Sequence, residues 1–215
     1  LSEIDIEFYK KNKWECLEYF NIGSLSANNS YNSNNINLMY DLCIVSCSTN
    51  KRRSEIKLAE LIRNFSKDNK LKIGVALKFN PYQKGFLQQY NEIFNLYGDF
   101  AYIHPNNTRN INLFCSARVI LGTYSTALRE VFSLGKKIYP INFDHIDMNF
   151  YMEPLNINLS PTQEEFNKYL DYLLNIKDEE YKSIYKREIS YIGSFPQKIK
   201  PCNRLRNLIE SKILE

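Results

Sequence analysis

Apolar residues fall along the chain in two alternating textures. Short runs that are apolar at successive positions occupy Tyr40–Cys47, Leu71–Phe79, Phe100–His104, Arg118–Thr123 and Lys137–Phe143. Cores such as Cys43-Ile44-Val45 or Val119-Ile120-Leu121 have no polar side to turn to water, so they read as strands covered on both faces, the condition of a parallel sheet. Between them lie longer segments of helical period. Leu58, Leu61, Ile62 and Phe65 follow Ser54, which reads as a helix cap, and form one stripe. A second helix is predicted from about Lys84 to Tyr97, with Phe86, Tyr90, Ile93, Phe94 and Tyr97 on one side and Gly98 closing it as a C-cap glycine. A third spans roughly Thr108 to Ala117, and a fourth begins at Ser125 and stops at Gly135.

Repeated βα units of this length predict an α/β fold: a doubly wound, Rossmann-like parallel sheet. Helices flank it on the C-terminal side. Ser160-Pro161-Thr162-Gln163 reads as a capping box with Pro at the first helical position, ahead of Phe166, Tyr169, Leu170, Leu173 and Leu174. Another helix is expected from Glu179 to about Ile189, and Pro201 starts a last one carrying Leu205, Leu208, Ile209 and Ile213. Residues 22–38 are rich in Ser and Asn and read as a linker. The division expected is therefore a lead-in helix and linker over 1–39, a Rossmann-like domain over 40–195 and a C-terminal helix over 196–215.

Composition narrows the possible functions. With 215 residues, 44% hydrophobic, 24% charged and only 7 Gly and 7 Pro, the chain is globular rather than disordered or collagen-like. Its net charge of +4 is scattered, apart from Lys51-Arg52-Arg53 and Lys136-Lys137, and is too weak a field to make nucleic acid the partner. The cysteines (Cys16, Cys43, Cys47, Cys115 and Cys202) lack metal-site or disulfide-framework spacing and read as buried cytosolic thiols. Two histidines, His104 and His145, leave little for metal chemistry, so neither a metal nor another cofactor is expected. No run approaches the ~20 apolar residues of a membrane-spanning helix, which points to the cytoplasm or the inner face of the membrane.

In an open parallel sheet, ligands bind at the carboxyl ends of the strands, near the point where strand order reverses. Five loops lie there: 46–50, 78–82, 104–107, 123–126 and 142–147. The richest is Leu121-Gly122-Thr123-Tyr124-Ser125-Thr126, where a strand ends and two hydroxyl residues open a helix. Free N–H groups and the helix dipole favour an anion at such a point. Glu130, four residues after Thr126, shares its helix face and can reach a ribose diol one turn behind a phosphate. The alternative is that Ser125 is a plain N-cap and Glu130 a first-turn acid complementing the dipole. Ser46, Ser48 and Thr49, with Lys51 to Arg53 behind them, either contact phosphate or acceptor or cap the next helix. His104 and His145 stand as strand-end or loop histidines, and most of the 16 Tyr and 13 Phe are assigned to packing.

The stretch Val119–Ile138 resembles the strand, Ser-Ser/Thr turn, helix and Leu-Gly-Lys segment of the C-terminal half of GT-B-fold glycosyltransferases, nearest to those of bacterial capsule and surface-carbohydrate synthesis. The resemblance implies that Ser125 and Thr126 hold the phosphate of a nucleotide sugar and Glu130 its ribose. UDP-GlcNAc 2-epimerases have glycines at the hydroxyl pair and the same Glu. Lys78-Phe79-Asn80-Pro81 sits where transferases of CMP-sugars or CDP-glycerol carry a His-Pro motif, with Asn80 in the histidine's place. Lys78 offers charge and Asn80 a neutral hydrogen bond, but neither titrates like an imidazole. Phe20 to Leu25 and the strand from Tyr40 also resemble these transferases, and His104 would lie beside the base. The implied partners are a nucleotide-sugar donor (CMP-, CDP- or UDP-linked), a carbohydrate acceptor, and an N-terminal acceptor domain or partner subunit. The start at Leu1, with roughly 40 residues before the first strand against ~100 for a domain, suggests half of a two-domain enzyme. A non-catalytic scaffold of the same fold, or an epimerase-like enzyme, are the competing readings.

Overall fold

The structure is a computed structural model and describes residues 6, 7, 10, 11, 37–46, 52–77, 82, 84–104, 110–123, 125–143, 160–193 and 201–213. The five apolar runs become β1 (Tyr40–Val45), β2 (Ile73–Ala76), β3 (Tyr102–His104), β4 (Ala117–Gly122) and β5 (Lys137–Pro140). All neighbouring pairs are parallel, in the order β3-β2-β1-β4-β5, so the fold is the expected Rossmann-like α/β sheet. Between and after the strands come α1 (Arg52–Asp68), α2 (Phe86–Tyr97), α3 (Asn110–Cys115), α4 (Thr126–Ser133), α5 (Gln163–Asn175), α6 (Asp178–Ile184), α7 (Lys186–Gly193) and α8 (Pro201–Ile213).

The continuous apolar runs are continuous because the central strands have helices on both sides: Leu42, Cys43, Ile44, Val119, Ile120 and Leu121 are shut off from solvent. Strand order reverses between β1 and β4, and right-handed crossovers running in opposite directions put their helices on opposite faces. On one face α1 packs with α2 and α5, where Phe166 of α5 stacks on Tyr139 of β5 and meets Phe65 of α1 edge-on. On the other, α4 packs with α3 and α7, and Phe132 meets Tyr181 and Tyr185. Tyr97 of α2 donates to the buried Glu55 carboxylate at 3.0 Å. That carboxylate sits in the first turn of α1, where the dipole also favours it.

Several local expectations are corrected. Helix α1 begins at Arg52, so Ser54 is a buried first-turn residue rather than the cap. Gly98 closes α2 as its C-cap, as expected, but in the right-handed region (φ −65°), and a Cβ there would lie 2.7 Å from the Phe94 carbonyl oxygen that accepts its N–H. Close approach, not handedness, requires glycine. Among the described residues the left-handed glycines are Gly85, ahead of α2 (φ 91°), and Gly135, behind α4 (φ 77°). The capping box falls two residues later than the sequence suggests. Thr162 Oγ accepts the Glu165 N–H at 3.3 Å while the Glu165 carboxylate accepts the Thr162 N–H at 2.8 Å, which holds that carboxyl below its usual range. Ser160 is otherwise engaged, at φ 52° with its hydroxyl donating to the Phe143 carbonyl at 3.4 Å. The single helix expected over 179–189 is two, broken at Tyr185. Cys43 and Cys115 are buried and burial raises both thiols, but Cys202 is half-exposed; Cys16 and Cys47 lie outside the described residues.

Candidate functional site

The parallel strands bring all their carboxyl ends to one edge. Ser46, Leu77, Thr123 and Asn142 lie there beyond β1, β2, β4 and β5, and all four are buried. Val45 pairs with Gly122 across the β1–β4 boundary. A Cβ on Gly122 would sit 3.2 Å from Val45 Cβ and 3.4 Å from Leu128 of α4, so the missing side chain lets α4 start close against β1.

Helix α4 opens as the sequence suggests. Ser125 is extended (φ −134°, ψ 128°) and its Oγ accepts the Ala127 N–H at 3.2 Å, a working N-cap. The Leu128 N–H goes to the Ser125 carbonyl at 3.1 Å. The Thr126 N–H has no partner among the described residues, and the Thr126 side chain is exposed. An N-cap hydroxyl that accepts still has its own proton to give. This turn therefore offers an anion two hydroxyl donors and a free N–H at the positive end of a dipole.

Glu130 lies one turn behind Thr126, half-buried, with no ion pair or hydrogen bond to its carboxylate among the described residues. It is the fifth residue of α4, past the first turn, so a complement to the dipole does not account for it. An open carboxylate at this spacing accepts hydrogen bonds from a diol.

Ser125, Thr126 and Glu130 thus come together. His104 does not join them: it ends β3, with β2 and β1 between it and β4. Its ring meets Tyr102 and Tyr40 edge-on, at 5.3 and 6.2 Å, and burial pulls the imidazole below its ordinary pKa. Ser48, Thr49, Lys78, Asn80 and His145 lie outside the described residues.

Two further features lie at this edge: Ser46, one of the strand-end hydroxyls singled out in the sequence, and Lys57, which was not a sequence candidate. Ser46 is 3% exposed, and its Oγ has no hydrogen-bond partner among the described residues. Leaving such a hydroxyl unmet costs about 1–3 kcal/mol. Lys57 of α1 places its ammonium 5.5 Å from the ring centroid of Phe143, just past β5, and so leans along the same edge. The sequence signal for Ser46 was a polar residue at the end of an apolar run; Lys57 had none, being an ordinary polar position on an amphipathic helix. Among the described residues, no cluster of three metal-ligating side chains occurs, and no helix is long and apolar enough to cross a membrane.

No family model matches the chain, and no curated protein matches it in sequence. Solved structures do match in fold. One is a candidate UDP-N-acetylglucosamine 2-epimerase from Listeria monocytogenes, 14% identical over 92% of this chain and 49% of that one, with a TM-score of 0.55. A second is the Methanocaldococcus jannaschii UDP-GlcNAc 2-epimerase in complex with UDP-GlcNAc and UDP, 18% identical over 88% and 59%, TM-score 0.53. A third is the wall teichoic acid polymerase TagF, a variant soaked with CDPG, 18% identical over 99% and 55%, TM-score 0.55. The chain thus spans about half the length of the structures it matches, and at these identities the likeness is one of fold.

Proposed function

We propose that the chain is the nucleotide-sugar-binding half of a GT-B-type glycosyltransferase of surface-polysaccharide synthesis. The observation that carries the reading is the start of α4: Ser125, with the Thr126 N–H and, one turn behind, the Glu130 carboxylate, neither of which has a partner among the described residues. In this reading the first turn receives a phosphate, and Glu130 receives the ribose hydroxyls. The bond between the sugar's anomeric carbon and the donor phosphate breaks, and an acceptor hydroxyl oxygen takes that carbon. Charge then accumulates on the departing phosphate, where fixed N–H and O–H donors stabilise it without reorganising. The acceptor, and the base that removes its proton, belong to a second domain or subunit, so this chain alone binds donor and turns over poorly. Lys78 and the 48–49 hydroxyls extend the same donor site. The setting is the cytoplasm, at the inner membrane face.

Isothermal titration with CMP, CDP and UDP at millimolar concentration tests the reading. Heat of binding that vanishes when Thr126 and Glu130 are both replaced by Ala supports it; no heat with any of the three removes it. An epimerase reading is favoured by the equal likeness to the 2-epimerase structures. Conversion of UDP-GlcNAc to its epimer by the isolated chain would select it instead.

A further inference from the structure

Helix α8 stands apart from the core. None of its residues over 202–213 is buried, and among the described residues none of its apolar side chains joins the hydrophobic cluster. At the α-helical period Cys202, Leu205, Leu208, Ile209 and Ile213 nevertheless share one strip, about 140° wide. Ile209 is 50% exposed and Ile213 75%. Asn203, Asn207, Glu210 and Ser211 occupy the far side. The cations are placed differently: Arg204 and Arg206 border the strip on its two sides, and Lys212 falls within it near the helix end. Although no two of them are adjacent, five basic residues over 198–213 stand against one acid, an excess equal to the +4 of the whole chain, so the remainder is neutral. The net charge of the protein therefore comes from this end.

We infer that α8 is an in-plane anchor for an acidic lipid bilayer. The inference stands on α8 alone and holds whether or not α4 takes a nucleotide. With 13 residues against the ~20 needed to span, the helix lies along a bilayer surface instead of crossing it. The apolar strip then enters the boundary of the acyl chains, while Arg204 and Arg206 on its borders reach lipid phosphates and the far side stays in water. Lys212 decides between lipid and protein as the occupant. Its flexible stem lies along an apolar layer and lifts the ammonium to the headgroups, whereas a protein groove closing over the strip buries that charge. A second copy packed strip to strip lines Arg204, Arg206 and Lys212 of both chains along one seam, with Glu210 turned away from it.

The experiment is co-sedimentation of the full chain with vesicles of phosphatidylglycerol mixed with phosphatidylcholine, and of phosphatidylcholine alone. The wild type should bind the acidic vesicles, bind the neutral ones at least tenfold more weakly, and be released by raised salt. Arg204→Gln with Arg206→Gln should weaken binding to the acidic vesicles about 25-fold, at about fivefold for each charge near a lipid surface. Ile209→Ser with Ile213→Ser, both at exposed positions, should abolish it while leaving the thermal melting of the chain unchanged. A wild type that ignores acidic vesicles overturns the inference. So does equal binding to both vesicle types, or acidic-vesicle binding that survives the serine pair. A wild type that is dimeric by light scattering, that the serine pair turns into a monomer and that binds no vesicle gives the strip to a second copy instead.

Discussion

The main-chain N–H of Ile138 donates to the phenolic oxygen of Tyr181 at 3.3 Å. Strand β5 is an outer strand, and successive N–H groups of a strand point to opposite sides. Ile141 donates inward to Gly122 at 3.1 Å, so Ile138 and Pro140 face outward. Proline has no N–H to offer, and the other outward donor is taken by Tyr181. This edge therefore presents no free donor within β5 for another strand to pair with.

Tyr181→Phe keeps the ring against Phe132 and removes the acceptor. Unfolding in urea should show a loss of about 1 kcal/mol, with light scattering rising on storage as the edge opens. A variant as stable and as monodisperse as the parent would mean that the phenol oxygen does not guard the strand.

Ser125 is the N-cap of α4 and, under the proposed function, also a phosphate donor, and substitution can separate the two. Glycine is nearly as good an N-cap as serine, losing a few tenths of a kcal/mol, whereas alanine costs about 1 kcal/mol. Ser125→Gly should thus leave the melting temperature near the parent's and Ser125→Ala should lower it. Both should weaken nucleotide binding, having lost the same hydroxyl. Affinity that tracks stability, with Gly normal and Ala impaired, would reduce Ser125 to a cap.

Glu130→Ala should weaken binding of a nucleoside diphosphate by about 1–3 kcal/mol, and leave the thermal stability close to the parent's since its carboxylate has no partner to lose among the described residues. A 2′,3′-dideoxy nucleotide should bind the parent and the variant alike. A full-strength loss with the dideoxy compound would move Glu130 away from the ribose.

The fold was legible because it rests on periodicity. Continuous apolar runs at Cys43–Val45 and Val119–Leu121 can satisfy themselves only between two layers of helix, and the βα alternation leaves few topologies. The start of α4 was legible too, since Ser125 caps by the same hydroxyl geometry anywhere it occurs. What the pattern could not give depends on tertiary company. Ser160 looked like a cap and is drawn off by Phe143, leaving Thr162 and Glu165 to close the box. Gly98 caps α2 as read, but what requires glycine there is the close approach of the Phe94 carbonyl, which no pattern shows. The idle hydroxyl of Ser46 is a relation among several elements, and no spacing encodes it.

His104 gives a pH signature. Burial lowers its pKa, so the folded state disfavours the imidazolium while the unfolded chain takes up a proton near the usual value of about 6.5. Its contribution to stability is complete above that value and is lost as the pH falls toward and through the folded value. Imidazole proton shifts should titrate below 6.5 in the folded protein, and thermal stability should decline on acidification more steeply than in His104→Gln. A midpoint at or above 6.5 would place the ring in water instead of against Tyr102 and Tyr40.

The strand order β3-β2-β1-β4-β5 also sets a sequence of events during synthesis. The first three strands to leave a ribosome can assemble among themselves, yet β1, destined for the centre, then forms a raw boundary with Leu42 and Ile44 beside it. That boundary closes only when Ala117–Gly122 emerges, more than seventy residues after β1. The interval is the stretch of the chain's birth when it is most open to pairing with the wrong strand, and it ends at the same junction where the ligand is proposed to sit.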